Sequence, residues 1–326
     1  MYIEDLNFSL WADFIERDYL DNEFKELIDN GIINGATSNP AIFKNAILTS
    51  PAYKTQLESL GNIPAKEKYE AVAIYDITKA ADILRPLYDA GNDGYVSIEV
   101  DPFLCDDAQA TIAEGKRLFA IINRPNVMIK VPATTAGYEA MRALTSVGIP
   151  VNATLIFKKS QAVACANAFR EGAKLFGKSV ATVISIFVSR VDRALDAQLQ
   201  THNIPVALSG IYNSADIYAE IEAMQVKDCR ALFASTGVKD NSLVAHYYVE
   251  ELLAYNSINT APVDTIKAYH ANGSHKRALP ISEQIIHEHF NKIKDIGVDF
   301  EEILDNQIED GLVAFKDAFK DILESL

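Results

Sequence analysis

Lys130 has the most unusual setting in this chain. It stands in Asn126-Val127-Met128-Ile129-Lys130-Val131-Pro132-Ala133-Thr134, closing a short apolar run and preceding a Val-Pro break. Lysine is almost never fully buried without a partner. One reading is a snorkelling side chain, its stem packed and its ammonium in water. The other is an amine nucleophile, desolvated until it gives up its proton and able to form a Schiff base with a carbonyl. Two carboxylates, Asp13 and Glu99, stand near the ends of other short apolar runs, as do Asn39, Thr154, Ser185, Ser235 and Asn259. Schiff-base chemistry needs a neutral amine and acid–base groups that carry protons through the carbinolamine. Amides and hydroxyls suit a polyhydroxylated substrate, because each hydroxyl needs a partner once water is excluded.

These residues can meet only if the runs that carry them converge. The strand candidates are Phe8–Asp13, Gly35–Pro40, Gly94–Pro102, Val127–Ile129, Pro150–Ile156, Val180–Phe187, Ala231–Gly237 and Ser257–Pro262. Segments of helical period fall between them, at 18–30, 107–123, 135–147, 158–176, 189–200, 214–226 and 242–254. Eight strands alternating with helices predict a parallel sheet closed into an α/β (β/α)8 TIM barrel with extra helices. In such a barrel the C-terminal strand ends share one face. A doubly wound open sheet is the alternative, but Asp13-Phe14-Ile15-Glu16-Arg17 replaces the Gly-rich turn expected after its first strand. The chain reads as a single barrel domain over 1–326, with a largely helical insertion around 41–90 and a helical C-terminal extension around 280–326. The sequence leaves open whether that extension closes over the site, caps the barrel or meets a partner.

Size and charge agree with this. A chain of 326 residues is ample for one barrel. The net charge of -15 argues against general nucleic-acid affinity, which needs a basic footprint. Cys105, Cys165 and Cys229 are far apart and odd in number, as free thiols of a reducing compartment would be. The first residues lack a signal-peptide pattern, and no apolar run reaches the length of a membrane span. A cytoplasmic protein is expected, acting on small molecules without nucleic acid or membrane, with a homodimer entertained as its assembly. The six histidines have no ligand spacing, so no metal site is expected.

Each candidate also has a plain explanation. Asn before Pro is turn chemistry, and Ser or Thr at a strand end often caps the next helix. That plain explanation is preferred for Asn259 and Thr134. Arg190, just past the sixth strand, and Ser235-Thr236-Gly237-Val238-Lys239, after the seventh, sit where barrels often bind phosphate. An ion pair of Arg190 with Asp192 or Asp196 is an equal alternative.

Longer motifs carry a resemblance. Thr37-Ser38-Asn39-Pro40 with Phe43 resembles the signature of the transaldolase family, and Asn126–Thr134 resembles its Schiff-base lysine motif. Gly148-Ile149-Pro150-Val151-Asn152-Ala153-Thr154-Leu155 and Ile184-Ser185-Ile186-Phe187-Val188-Ser189-Arg190 resemble its fifth and sixth strands. The likeness runs from about Leu10 to about Asn259 and is closest to the bacterial branch. It implies a cofactor-free enzyme of the pentose phosphate pathway that moves a dihydroxyacetone unit between sugar phosphates. Lys130 would be the Schiff-base lysine, Glu99 and Thr154 would hold the catalytic water, and Asp13 would exchange a proton with the substrate hydroxyl. Asn39, Asn152, Ser185 and Phe187 would hold the three-carbon unit, and Arg190 and Ser235 the phosphate. Some members carry a second phosphate arginine where this chain has Thr236-Gly237. Lys239 is the substitute at hand, a point charge without the bidentate fork. The alternatives are another Schiff-base aldolase of the same fold, acting on fructose 6-phosphate or a deoxysugar phosphate, and a non-catalytic sugar-phosphate-binding barrel.

Overall fold

The computed structural model of the chain describes residues 1–239 and 242–326. A two-residue strand, β1 (Tyr2–Ile3), lies antiparallel on β2 (Phe8–Ala12) and has no counterpart in the sequence reading. From β2 the chain runs through α1 (Arg17–Asp21) and α2 (Glu23–Asp29) to β3 (Gly35–Ala36). Asn22 breaks the single helix expected over 18–30 into these two pieces. Then follow α3 (Pro40–Thr49), α4 (Lys54–Leu60), α5 (Ala65–Asp89), β4 (Tyr95–Glu99), α6 (Ala108–Ile122) and β5 (Val127–Pro132). Next come α7 (Thr135–Thr145), β6 (Val151–Ile156), α8 (Lys159–Phe176), β7 (Thr182–Phe187), α9 (Ser189–Thr201), α10 (Ser209–Met224) and β8 (Cys229–Ala234). The chain ends with α11 (Tyr247–Glu251), β9 (Ser257–Ala261), α12 (Val263–Asn272), α13 (Glu283–Asp295) and α14 (Phe300–Ser325). The helix expected at 242–254 is thus the five residues of α11.

Strands β2 to β9 pair in parallel in sequence order, and β9 pairs back onto β2, which closes the barrel. The closed (β/α)8 architecture read from the sequence is therefore borne out. Alternation along each strand separates two cores. Val127, Ile129 and Val131 of β5 face outward into a large cluster shared with the helices. Met128 faces inward, with Trp11, Val183, Leu232 and Ile258, into a smaller cluster that continues into α9, α13 and α14. Lys130, two residues after Met128, is therefore obliged to point into the barrel, above that apolar layer. The same period puts Glu99 two residues above Ser97, and Thr154 two above Asn152.

One irregularity shapes the upper layer. The β6–β7 register shifts between Ala153 and Ile156, and Leu155 has φ 60. A left-handed residue other than glycine costs roughly 1–2 kcal/mol. Leu155 packs in the smaller cluster, where its side chain lies against Gly311 of α14. Among the described residues no helix is long and apolar enough to cross a membrane.

Candidate active site

The C-terminal ends of the strands enclose a cavity of about 180 Å³. Asp13, Asn39, Lys130, Thr154, Ser185, Phe187, Arg190 and Ser235 all line it, so eight of the residues singled out in the sequence meet there. Lys130 is held at its centre. Its side chain is only 6% exposed, its Nζ donates to the Ser38 carbonyl at 3.0 Å, and Glu99 Oε2 lies 3.5 Å away. The snorkelling alternative fails, because the ammonium end is inside the barrel rather than in water.

Glu99 opposes Lys130 directly in the β4–β5 register. Burial pushes its carboxyl up from 4.5 to about 7, against the lowering influence of Lys130. Neither Glu99 oxygen accepts a hydrogen bond within the protein, and Thr154 Oγ1 also has none. Buried polar atoms without partners are uncommon and ask for a reason. A carboxyl that titrates near neutrality can both give and take a proton, as a general acid–base group must.

Asp13, just past β2, lines the cavity from another side. Desolvation raises its pKa, while Lys130, a hydrogen bond from Thr37 and Arg190 oppose the rise. Thr37 Oγ1 donates to Asp13 Oδ1 at 2.7 Å and lies 2.7 Å from Thr260 Oγ1. Since the Thr37 proton is committed to Asp13, Thr260 is the donor to Thr37. Both threonines line the cavity, and neither was singled out in the sequence. The signals were present: Thr37 opens the Thr-Ser-Asn-Pro motif, and Thr260 is two residues after inward-facing Ile258.

Asn39 has two duties. Its Oδ1 accepts from the Ile42 N–H at 3.0 Å and caps α3, whose first residue is Pro40. That leaves the amide nitrogen for a partner in the cavity. Asn152, expected to contact substrate, lies out of the cavity lining. It donates to Ser97 Oγ at 3.0 Å and accepts from Ser185 Oγ at 2.7 Å, so it fixes the serine that does line the cavity. The plain explanation holds for Thr134, which caps α7 through Gly137 N–H at 3.0 Å. Asn259 does not end its strand but stands in the middle of β9, where it accepts from Thr236 and stays out of the cavity.

Arg190 lies in the first turn of α9. Asp192 is committed to the Gly210 N–H at 2.7 Å and the Tyr248 hydroxyl at 2.8 Å. No carboxylate lies within ion-pair distance of Arg190 among the described residues, and its guanidinium is 5.1 Å from the Phe187 ring centre. Burial, with Arg193 adding to it, lowers its pKa from the usual guanidinium range. Ser235, held in the left-handed region at φ 56, has its hydroxyl 3.1 Å from that of Ser189 at the start of α9. Arginine, hydroxyls and a helix N-terminus together favour an anion. Lys239 is exposed and is not among the residues lining the cavity, so the expected second cation is not in place there.

Ala314 and Phe315 of α14 complete the lining of the cavity, so of the alternatives left open for the C-terminal extension the structure places it over the site. A wider cavity, about 520 Å³, opens at the other end of the barrel beside Trp11. Its Arg230 and Asp93 are paired at 2.6 Å and no lysine lines it, so amine chemistry has no seat there.

The described geometry agrees with what the chain is similar to. The family model described as Transaldolase/Fructose-6-phosphate aldolase matches residues 10–326. A transaldolase of Helicobacter pylori is 45% identical over 321 residues, covering 98% of this chain and 99% of the relative. A transaldolase of Campylobacter jejuni is 46% identical over 331 residues, with the same two coverages.

Proposed function

This chain belongs to the transaldolase/fructose-6-phosphate aldolase family, and from that premise we propose how its residues carry out the reaction. The activity is that of a transaldolase. In our reading, the Lys130 amine adds to the keto carbon of a ketose phosphate, sedoheptulose 7-phosphate or fructose 6-phosphate. The resulting carbinolamine loses water to give a Schiff base. Asp13 takes the proton from the hydroxyl on the far carbon of the bond to be cut, that C–C bond breaks, and an aldose phosphate leaves. The three-carbon enamine stays on Lys130. It then adds to the aldehyde carbon of glyceraldehyde 3-phosphate or erythrose 4-phosphate, and Asp13 returns its proton to the new alkoxide. Hydrolysis of the imine frees the product and the amine.

The partnerless oxygens of Glu99 and Thr154 support a role in holding the water that leaves and returns. Asn39 and Ser185 suit the hydroxyls of the three-carbon unit. Phe187 packs beside them, and Asn152 acts through Ser185. Arg190 and Ser235 suit the phosphate, next to the N-terminus of α9. On the same reading the enzyme serves the non-oxidative pentose phosphate pathway in the cytoplasm, with Lys239 outside the reaction.

The observation that carries this reading is a buried lysine inside the barrel with one carboxylate at 3.5 Å and a second lining the same cavity. A transfer assay tests it. Fructose 6-phosphate with erythrose 4-phosphate should give sedoheptulose 7-phosphate, and fructose 6-phosphate alone should release little dihydroxyacetone. Rapid dihydroxyacetone release without acceptor would assign the chain to the aldolase half of the family instead.

A further inference from the structure

α14 reaches the reacting centre from the far end of the chain. Lys130 Nζ lies 5.6 Å from the centre of the Phe315 ring, and Phe315 is 5% exposed. The helix can come this close because Gly311 has no side chain: a Cβ there would sit 2.8 Å from Leu155 Cδ2. One turn on, Phe319 stacks edge-on against Tyr69 at 5.0 Å and, with it, lines the small space behind Glu99. Both ends of α14 are clamped. Lys158 pairs with Asp305 at 2.5 Å and Glu301 at 3.1 Å, Lys44 pairs with Asp321 at 2.5 Å, and Lys68 donates to the terminal Leu326 oxygen at 2.6 Å.

The chemistry gives this roof a task. Once the donor has been cut, the enamine on Lys130 has two fates. In transfer, its carbon forms a bond to the acceptor aldehyde. In the leak, that carbon takes a proton instead, giving the imine of dihydroxyacetone. Water then adds to the imine carbon, the C–N bond breaks, and free dihydroxyacetone and the amine result. Counted from the enamine, the leak takes up one water, matching the one released when the Schiff base formed, and involves no oxidation or reduction. Both routes end in hydrolysis of an imine, so the step that divides them is the first: mobile water in the cavity can bring the proton that commits the enamine to the leak, whereas commitment to transfer needs only the acceptor, and closing a site against water suppresses such side reactions.

We propose that Phe315 is a specificity-determining residue that keeps this enzyme a transferase, by filling the space over the Lys130 nitrogen that mobile water would otherwise occupy. The proposal rests on the Schiff-base reading of Lys130. Gly311 serves it by letting α14 lie close against Leu155.

The test compares the parent with Phe315→Ala, Phe315→Leu and Gly311→Ala. Each is given fructose 6-phosphate with and without erythrose 4-phosphate, and free dihydroxyacetone and sedoheptulose 7-phosphate are measured. Borohydride trapping runs alongside. Phe315→Ala should still form the adduct, but its ratio of dihydroxyacetone released to transferred should rise about tenfold, which is ~1.4 kcal/mol between the two barriers. Phe315→Leu, which keeps apolar bulk, should stay near the parent ratio. Gly311→Ala, which pushes the helix off Leu155, should raise the ratio without touching the ring, and it decides the matter should Phe315→Ala fail to fold. An unchanged ratio in variants that still form the adduct overturns the role of Phe315 and leaves the Schiff-base reading intact. A parent that forms no adduct overturns both.

Discussion

Replacing Glu99 with glutamine should make the stability of this protein less sensitive to pH. Burial raises the Glu99 carboxyl from 4.5 to about 7. The folded protein therefore holds this proton up to about pH 7, while the unfolded chain releases it near 4.5. Between those values the folded state binds more protons, so stability falls as pH rises. The favourable contribution is fully present below about pH 4.5 and lost above about pH 7. At 1.36 kcal/mol per pH unit the rise is worth on the order of 3 kcal/mol, most of it falling between pH 5 and pH 8. Marginal stabilities of 5–15 kcal/mol make that a readable share. Glu99→Gln has the same shape and no titration, so it should lack this increment. Urea unfolding followed by circular dichroism at pH 5 and pH 8, on parent and variant, gives the difference directly. Groups that do not interact with Glu99 titrate alike in the two proteins and cancel. If the variant loses as much stability as the parent between these two pH values, Glu99 is not the buried acid described here, and its proposed acid–base role loses its basis.

Other perturbations separate the remaining roles. Arg190→Ala removes charge-assisted hydrogen bonds of roughly 1.5–3 kcal/mol each, so KM for phosphorylated ketoses should rise about tenfold or more while unphosphorylated analogues change little. Equal effects on both would make Arg190 structural. Thr37→Val takes away a hydrogen bond that favours ionised Asp13. The Asp13 pKa should rise further, and the acid limb of the kcat/KM profile should move to higher pH; an unmoved limb would detach Thr37 from Asp13. Asp13→Asn should still form the Schiff base but stall before cleavage, so that reduction traps the whole donor sugar. Glu99→Gln should slow formation of the adduct itself, within the 10²–10⁴-fold range of general acid–base catalysis, about which kinetic trapping decides. An Asp13→Asn protein that traps mainly the three-carbon fragment at the parent rate would refute this division of labour.

The parts of the site that the sequence revealed are those governed by local rules. Period 2 from Met128 turns Lys130 inward, and eight apolar runs separated by helices imply the closed barrel that brings Asp13, Glu99 and Thr154 round it. What escaped the sequence depends on contacts between distant segments. α14 is an amphipathic helix, and nothing in its own residues says that Phe315 will lie over a lysine 185 positions earlier in the chain. The meeting of Thr37 with Thr260 needs β9 to close on β2, which a one-dimensional pattern does not contain. Asn152 was assigned to the substrate, but Ser97 and Ser185 use its amide one layer below the cavity. Lys239 was assigned by nearness in sequence to Ser235; the chain leaves β8 after Ala234, and by Lys239 it has reached the surface. The helix read at 18–30 had the right apolar period, but Asn22 interrupts it with φ and ψ outside the helical range.

The central claim is that Lys130 is the nucleophile. Guanidinium keeps the charge of lysine but does not deprotonate to act as one. The direct measurement is borohydride reduction of the protein with fructose 6-phosphate, followed by mass spectrometry of the digested chain, on parent and Lys130→Arg. The account predicts a single adduct, on the peptide containing Lys130 in the parent, and none in Lys130→Arg, whose far-ultraviolet circular dichroism should match the parent. An adduct on any other lysine, or one that persists at full yield in Lys130→Arg, would contradict it.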